Sequence, residues 1–237
     1  MLRAMEQLRR DVSYAARMAT RNRGFSAAAI LTLALGIGAA TATFTIVDAI
    51  VFRPLPYADV DRLVKIWGSS AAEPIDNMSL ADLKDISDRS AVFEQVAGDD
   101  GTGVRVQYGE SSHFASAALV TARWLSTLGV RPVLGRGFSP EEFEPGRDDV
   151  LILTDAYWHR RFAADAGVLG STLIVDGRRH TIVGVLPPNV LRYAADFLQP
   201  LVMATYPGSR EHRDLDVFAR LRPVSYTHLT LPTILRV

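Results

Sequence analysis

Five histidines, His113, His159, His180, His212 and His228, are the side chains best suited to hold a metal or move a proton, but they lie far apart without ligand spacing. They read as surface or core histidines. Glu141, Glu142 and Glu144 could pair as acid and base, yet a carboxylate run directly after Ser139-Pro140 is what the positive end of a helix dipole attracts. Gly98-Asp99-Asp100-Gly101 could offer carboxylates to calcium, but it lacks EF-hand spacing and reads as a turn. The chain has no cysteine, no GxxxxGK[ST], no HExxH and no GxSxG, so it carries no thiol nucleophile and is not expected to hydrolyse ATP itself. No catalytic, cofactor-binding or metal-ligating residue emerges.

The element that dominates the chain is apolar rather than reactive. Residues 24–47 are twenty-four consecutive positions without a charged side chain, about 36 Å of helix at ~1.5 Å per residue, against a hydrocarbon core of roughly 30 Å. This is a membrane span. Six arginines (Arg3, Arg9, Arg10, Arg17, Arg21, Arg23) against Glu6 and Asp11 precede it, and a mixed set with Asp48, Asp59 and Asp61 follows. Basic residues are retained on the cytoplasmic side, which predicts an inside N-terminus and an outside domain after about Phe52.

A cleaved signal peptide with Ala40-Thr41-Ala42 as its processing site is the competing reading. Against it, apolar character continues through Phe44, Ile46, Val47, Ala49, Ile50, Val51 and Phe52, and the basic region would exceed twenty residues. A buried soluble helix is a third reading, since a helix apolar all round lies in lipid or in a core. Within the span, Gly36, Gly38, Ala40 and Ala42 have small-xxx-small spacing, which lets a partner helix approach closely. Upstream, Met5, Leu8, Val12 and Ala19 recur at helical steps opposite arginines, as in a helix lying on the inner membrane surface.

The organisation expected is therefore a cytoplasmic lip at 1–24, a transmembrane helix at 25–52, an exterior domain at 53–223 and a tail at 224–237. With 26 basic and 26 acidic residues the chain is neutral, and it shows no basic stripe for nucleic acid. The exterior domain has to be stable without disulfides. Its pattern is α+β: strands at 63–67, 104–108, 114–121, 150–153, 197–203 and 215–221, a helix at 79–89 with Ser79 and Asp82 in capping-box spacing, and a short helix at 122–128 ending at Gly129. Residues 131–146 form an ordered loop, Thr154 caps a helix, and Asp176-Gly177 joins a hairpin over 172–185.

Leu33-Ala34-Leu35-Gly36-Ile37-Gly38-Ala39, Val47-Asp48-Ala49, Arg53-Pro54-Leu55-Pro56-Tyr57 and Asp61-Arg62-Leu63-Val64 together resemble the first span and exit of MacB/FtsX-type ABC transporter permeases. The match is to the duplicated-permease branch of soil bacteria. Leu128-Gly129-Val130-Arg131-Pro132, Leu134-Gly135-Arg136, Gly170-Ser171 and Val175-Asp176-Gly177 through Thr181-Ile182-Val183-Gly184-Val185-Leu186-Pro187 are similar to the periplasmic core domain of that family. The resemblance covers about residues 7–222. It implies a bacterial inner-membrane protein whose permease dimerises, is powered by a cytoplasmic ABC ATPase that binds the ATP, and transmits motion through membrane helices to a periplasmic domain for efflux or export.

Such a permease returns to the membrane, whereas no second apolar run of eighteen residues occurs here, so the chain is expected to be an N-terminal fragment. Val224-Ser225-Tyr226-Thr227-His228-Leu229-Thr230-Leu231-Pro232-Thr233 resembles translated adapter sequence; the alternative is a genuine edge strand. The other function compatible with the residues is a single-pass, membrane-anchored exterior enzyme of unknown reaction.

Overall fold

The computed structural model describes residues 23–47, 57–69, 75–191, 195–223 and 234–236. The uncharged run forms one unbroken helix, α1 (Arg23–Val47), and its segment Ser26–Thr45 is long and apolar enough to cross a membrane. Its described side chains are not buried; Ile30, Leu33, Leu35 and Phe44 each expose more than half of their surface. Thr32, Thr41, Thr43 and Thr45 each donate their hydroxyl to the carbonyl four residues earlier at 2.8–2.9 Å. Hydrocarbon would offer those hydroxyls nothing. The predicted surface helix over 4–22, the exit at 53–56 and most of the tail lie outside the described residues.

From Leu55 the chain builds a second unit. Its elements are β1 (Leu63–Ile66), α2 (Leu80–Arg89), β2 (Phe93–Tyr108), β3 (Ser111–Val120), α3 (Trp124–Leu128), β4 (Leu134–Gly135), β5 (Val150–Leu153), α4 (Asp155–Phe162), β6 (Thr172–Val175), β7 (Arg178–Val185), β8 (Phe197–Pro200), β9 (Asp216–Leu221) and β10 (Ile234–Arg236). This is the α+β architecture expected. Local signals set several boundaries: Ser79 and Asp82 close a reciprocal capping box on α2, Thr154 accepts the Tyr157 N–H at the start of α4, and Asp176 and Gly177 both take positive φ between β6 and β7.

Two cores follow from strand alternation. In β1, β9 and the first half of β2, side chains point alternately to opposite faces. Val64, Val96, Val217 and Ala219 face Leu80 and Leu83 of α2, while Leu63, Ala97 and Phe218 face Trp124 and Leu128 of α3. The second half of β2 leaves this layer. There β2 pairs β3, β3 pairs β8, β8 pairs β5, β5 pairs β7, β7 pairs β6, and β6 returns to β2. These pairings close a six-stranded ring, and Val106, Ala117, Leu151, Leu173, Ile182 and Phe197 fill it, one from each strand.

Two expectations are corrected. Gly98-Asp99-Asp100-Gly101 is strand rather than turn, so the strand predicted at 104–108 begins at Phe93. Distant partners explain this: Asp99 accepts the Trp124 indole N–H at 2.6 Å and Asp100 accepts the Tyr206 hydroxyl at 2.9 Å. The strand predicted at 197–203 stops at Pro200, although the Leu201 N–H still reaches the Val120 carbonyl at 2.8 Å. In the tail, Ile234–Arg236 add antiparallel to β1, with Leu235 opposite Lys65.

Burial holds the imidazoles of His180, in the ring wall, and His113, beside Tyr157, below their ordinary pKa. For His113 the Arg161 charge adds to the effect. The unfolded chain therefore binds protons that the fold refuses, so their contribution is complete above about pH 6.5 and is lost as the pH falls below it. Thermal melts should show a lower midpoint at pH 5.5 than at 7.5, and a His113→Gln/His180→Gln variant should show a smaller difference between the two.

Candidate functional site

Three stretches singled out in the sequence meet where the exterior domain begins. Tyr57 donates its hydroxyl to the Val190 carbonyl at 2.5 Å, and the Ala58 N–H reaches the Leu128 carbonyl at 3.3 Å. Arg62 follows on a short 3-10 turn, Val60–Arg62, and places Nε and Nη2 at 2.9 and 2.7 Å from the Leu221 carbonyl while pairing with Glu94. Residues 57–62 are thus fastened to β2, β9 and α3.

Arg220 is the hub of this anchor. It sits on β9 at 6% exposure, and its guanidinium donates to Thr127 O at 3.0 Å, Ala58 O at 2.8 Å and Asp59 O at 3.4 Å. No carboxylate among the described residues pairs with it. Its charge instead meets carbonyl dipoles, including one of the unshared carbonyls at the C-terminal end of α3, where a cation is favoured. Beside it, Gly129 ends α3 with φ +69°, and a Cβ there would stand 2.5 Å from Ala58 Cβ. Only glycine satisfies both the left-handed backbone and the close approach.

A second junction joins two more of those stretches. Gly135 of β4 pairs with Gly184 of β7, and a Cβ on Gly135 would run into the Val183 carbonyl while one on Gly184 would run into that of Arg136. Arg136 then grips Glu142 through two hydrogen bonds, 2.9 and 2.6 Å. Burial pushes the Glu142 carboxyl up, but the Arg136 fork and the Ser139 N–H at 2.7 Å outweigh it and hold the group below its usual range. Glu142 is a cap for the turn Pro140–Phe143; Glu141 and Glu144 are not drawn to it.

The remaining chemistry-bearing residues stay dispersed. His113 bonds Tyr157 Oη at 2.9 Å, His180 lies in the ring, His159 and His212 sit beside Asp155 and Asp214, and His228 is outside the described residues. Among the described residues no group of three His, Cys, Asp or Glu could hold a metal ion. Gly36, Gly38, Ala40 and Ala42 all lie on α1 and are exposed, with open space where either glycine would carry a Cβ. At about 100° per residue the pairs Gly36/Ala40 and Gly38/Ala42 stand roughly 200° apart, as two stripes rather than one patch. Sequence reasoning missed Arg220; the available signal was a lone charge closing the apolar alternation Val217-Phe218-Ala219-Arg220-Leu221.

A family model described as MacB-like periplasmic core domain matches residues 26–227. The fold is similar to the periplasmic region of MacB from Actinobacillus actinomycetemcomitans, with TM-score 0.54 and 15% identity, covering 68% of this chain and 74% of that one. It is also similar to the extracellular domain of the noncanonic ABC-type transporter YknZ from Gram-positive bacteria, with TM-score 0.52 and 16% identity, covering 68% and 83%. No curated protein sequence matches.

Replacing Arg220 by Met should lower stability by about 3 kcal/mol, because three buried carbonyls lose a charged donor. Gly129→Ala should cost about 2 kcal/mol through left-handed strain and the clash with Ala58. Chemical denaturation of the full chain reads both as a lower midpoint with an unchanged slope.

Proposed function

The chain belongs to the MacB-like periplasmic core domain family, and from that premise we propose that it works as a mechanical part of an ABC transporter permease. It is a membrane-anchored protein with an extracytoplasmic domain. A separate cytoplasmic ATPase subunit supplies the energy of ATP hydrolysis, and this chain binds no nucleotide. Displacement of α1 in the bacterial inner membrane reaches the exterior domain along the chain at Tyr57, and the domain acts on substrate outside for efflux or export.

The observation that carries this reading is the anchor at residues 57–62. A movement delivered there is handed to β9 through Arg62 and Arg220 and to α3 through Ala58 and Thr127. Buried hydrogen bonds with fixed partners resist stretching far better than an exposed chain segment does. A second permease copy completes the membrane part, and small residues on α1 let that copy's helices approach. The arginines before the span hold the N-terminus in the cytoplasm.

Because the chain lacks cysteine, orientation can be read without background labelling. In spheroplasts, Ser112→Cys on the exposed face of β3 should react with a membrane-impermeant maleimide, and Ser13→Cys should react only after permeabilisation. Labelling of Ser13→Cys in intact spheroplasts would sink the proposed topology. Leucine placed on either stripe of α1, as Gly36→Leu or Gly38→Leu, tests the helix contact. One of the two should weaken copy-to-copy crosslinking in the membrane several-fold, and unchanged crosslinking in both would remove the small-residue contact from the proposal.

A further inference from the structure

Beside β1 and β9 the exterior domain encloses a cavity of about 240 Å³ with four aromatic walls, Tyr57, Trp67, Trp124 and Phe218. One ion pair reaches into it. Lys65 Nζ lies 2.7 Å from Asp216 Oδ1, 3.7 Å from the centre of the Trp67 ring and 5.8 Å from that of Phe218, with only 15% of its side chain exposed. An ammonium desolvated between ring faces and backed by one carboxylate is the arrangement by which proteins bind organic cations. Here the chain's own lysine fills that place.

The surroundings favour a cation as well. Asp99, at 2% exposure, accepts the Trp124 indole N–H and fixes that ring in the wall. Asp99 and Asp216 also line an adjoining, more open cleft of about 550 Å³, together with Asp100 and Asp214, and no lysine or arginine lines it among the described residues. A cleft lined by one sign of charge concentrates the opposite ion at its mouth. An anion is repelled from the same approach.

We propose that this cavity binds a small primary amine with a flat aromatic body, its ammonium taking the place on Asp216 and Trp67 that Lys65 holds here. The space equals that of about eight water molecules, which admits a body of roughly ten non-hydrogen atoms and nothing much larger. Lys65 is therefore both a stand-in for the ligand and its competitor. No covalent step is involved, and the site does not depend on whether the permease transports anything.

Tyramine is the probe and 4-ethylphenol its neutral counterpart, titrated into the full chain in nanodiscs and followed by calorimetry. Tyramine should bind saturably and about tenfold tighter than 4-ethylphenol. Lys65→Met should raise tyramine affinity several-fold by vacating the cage, and Asp216→Asn should lower it about tenfold. Trp67→Leu, at a partly exposed ring, gives a second variant that should weaken binding with little effect on the melting midpoint. Absence of saturable binding, equal affinity for 4-ethylphenol, or weaker binding in Lys65→Met would each overturn the assignment. The labelling and crosslinking experiments on α1 read none of these quantities, so the two proposals fail separately.

Discussion

A single buried guanidinium fixes the way the exterior domain starts. Arg220 has no carboxylate to neutralise it among the described residues, so its charge is tolerable only while the carbonyls of Thr127, Ala58 and Asp59 point at it. Those three carbonyls belong to α3, to the first residues of the domain and to the turn before β1. Moving any one of them exposes a buried charge. The packing around it obeys the same demand: α3 is short, ends on a left-handed glycine, and leaves room for Ala58 to lie against it. Leu63 and Phe218 can then close the core beneath.

Continuity of β2 extends that constraint through the domain. One strand of 16 residues serves as the strand beside β9 in the layer under α2 and then as a wall of the six-stranded ring. The ring has no independent edge where it meets the layer, since β2 and β3 run from one into the other. Among the described residues the domain accordingly has three clusters of buried side chains joined by continuous strands. Gly135 and Gly184 close the far side by bringing two backbones nearer than any side chain would allow.

What could be read from the sequence was what local rules decide. The uncharged run, the capping box of Ser79 and Asp82, the Thr154 cap and the Asp176-Gly177 turn depend on residues within a few positions, and each stands where expected. Residues 93–103 were illegible because glycines and aspartates are poor strand formers; Trp124 and Tyr206 hold them extended from a distance. Arg220 was hidden for a related reason. A charge at the end of an apolar strand looks solvated until the carbonyls that surround it are known. The amine cavity was equally unreadable, since Lys65 and Asp216 come together only through the pairing of β1 with β9. The family resemblance was legible because its motifs mark places where backbone meets backbone, at Gly129, Gly135 and Gly184.

The threonines of α1 carry a consequence for motion in the bilayer. Each of the four hydroxyls spends its proton on the helix's own backbone, so none requires a matching polar group on a neighbour. A helix built this way has no hydrogen-bonded detents around its circumference at these positions. Rotation of such a helix breaks no side-chain hydrogen bond at these four positions, and only shape distinguishes one orientation from another there.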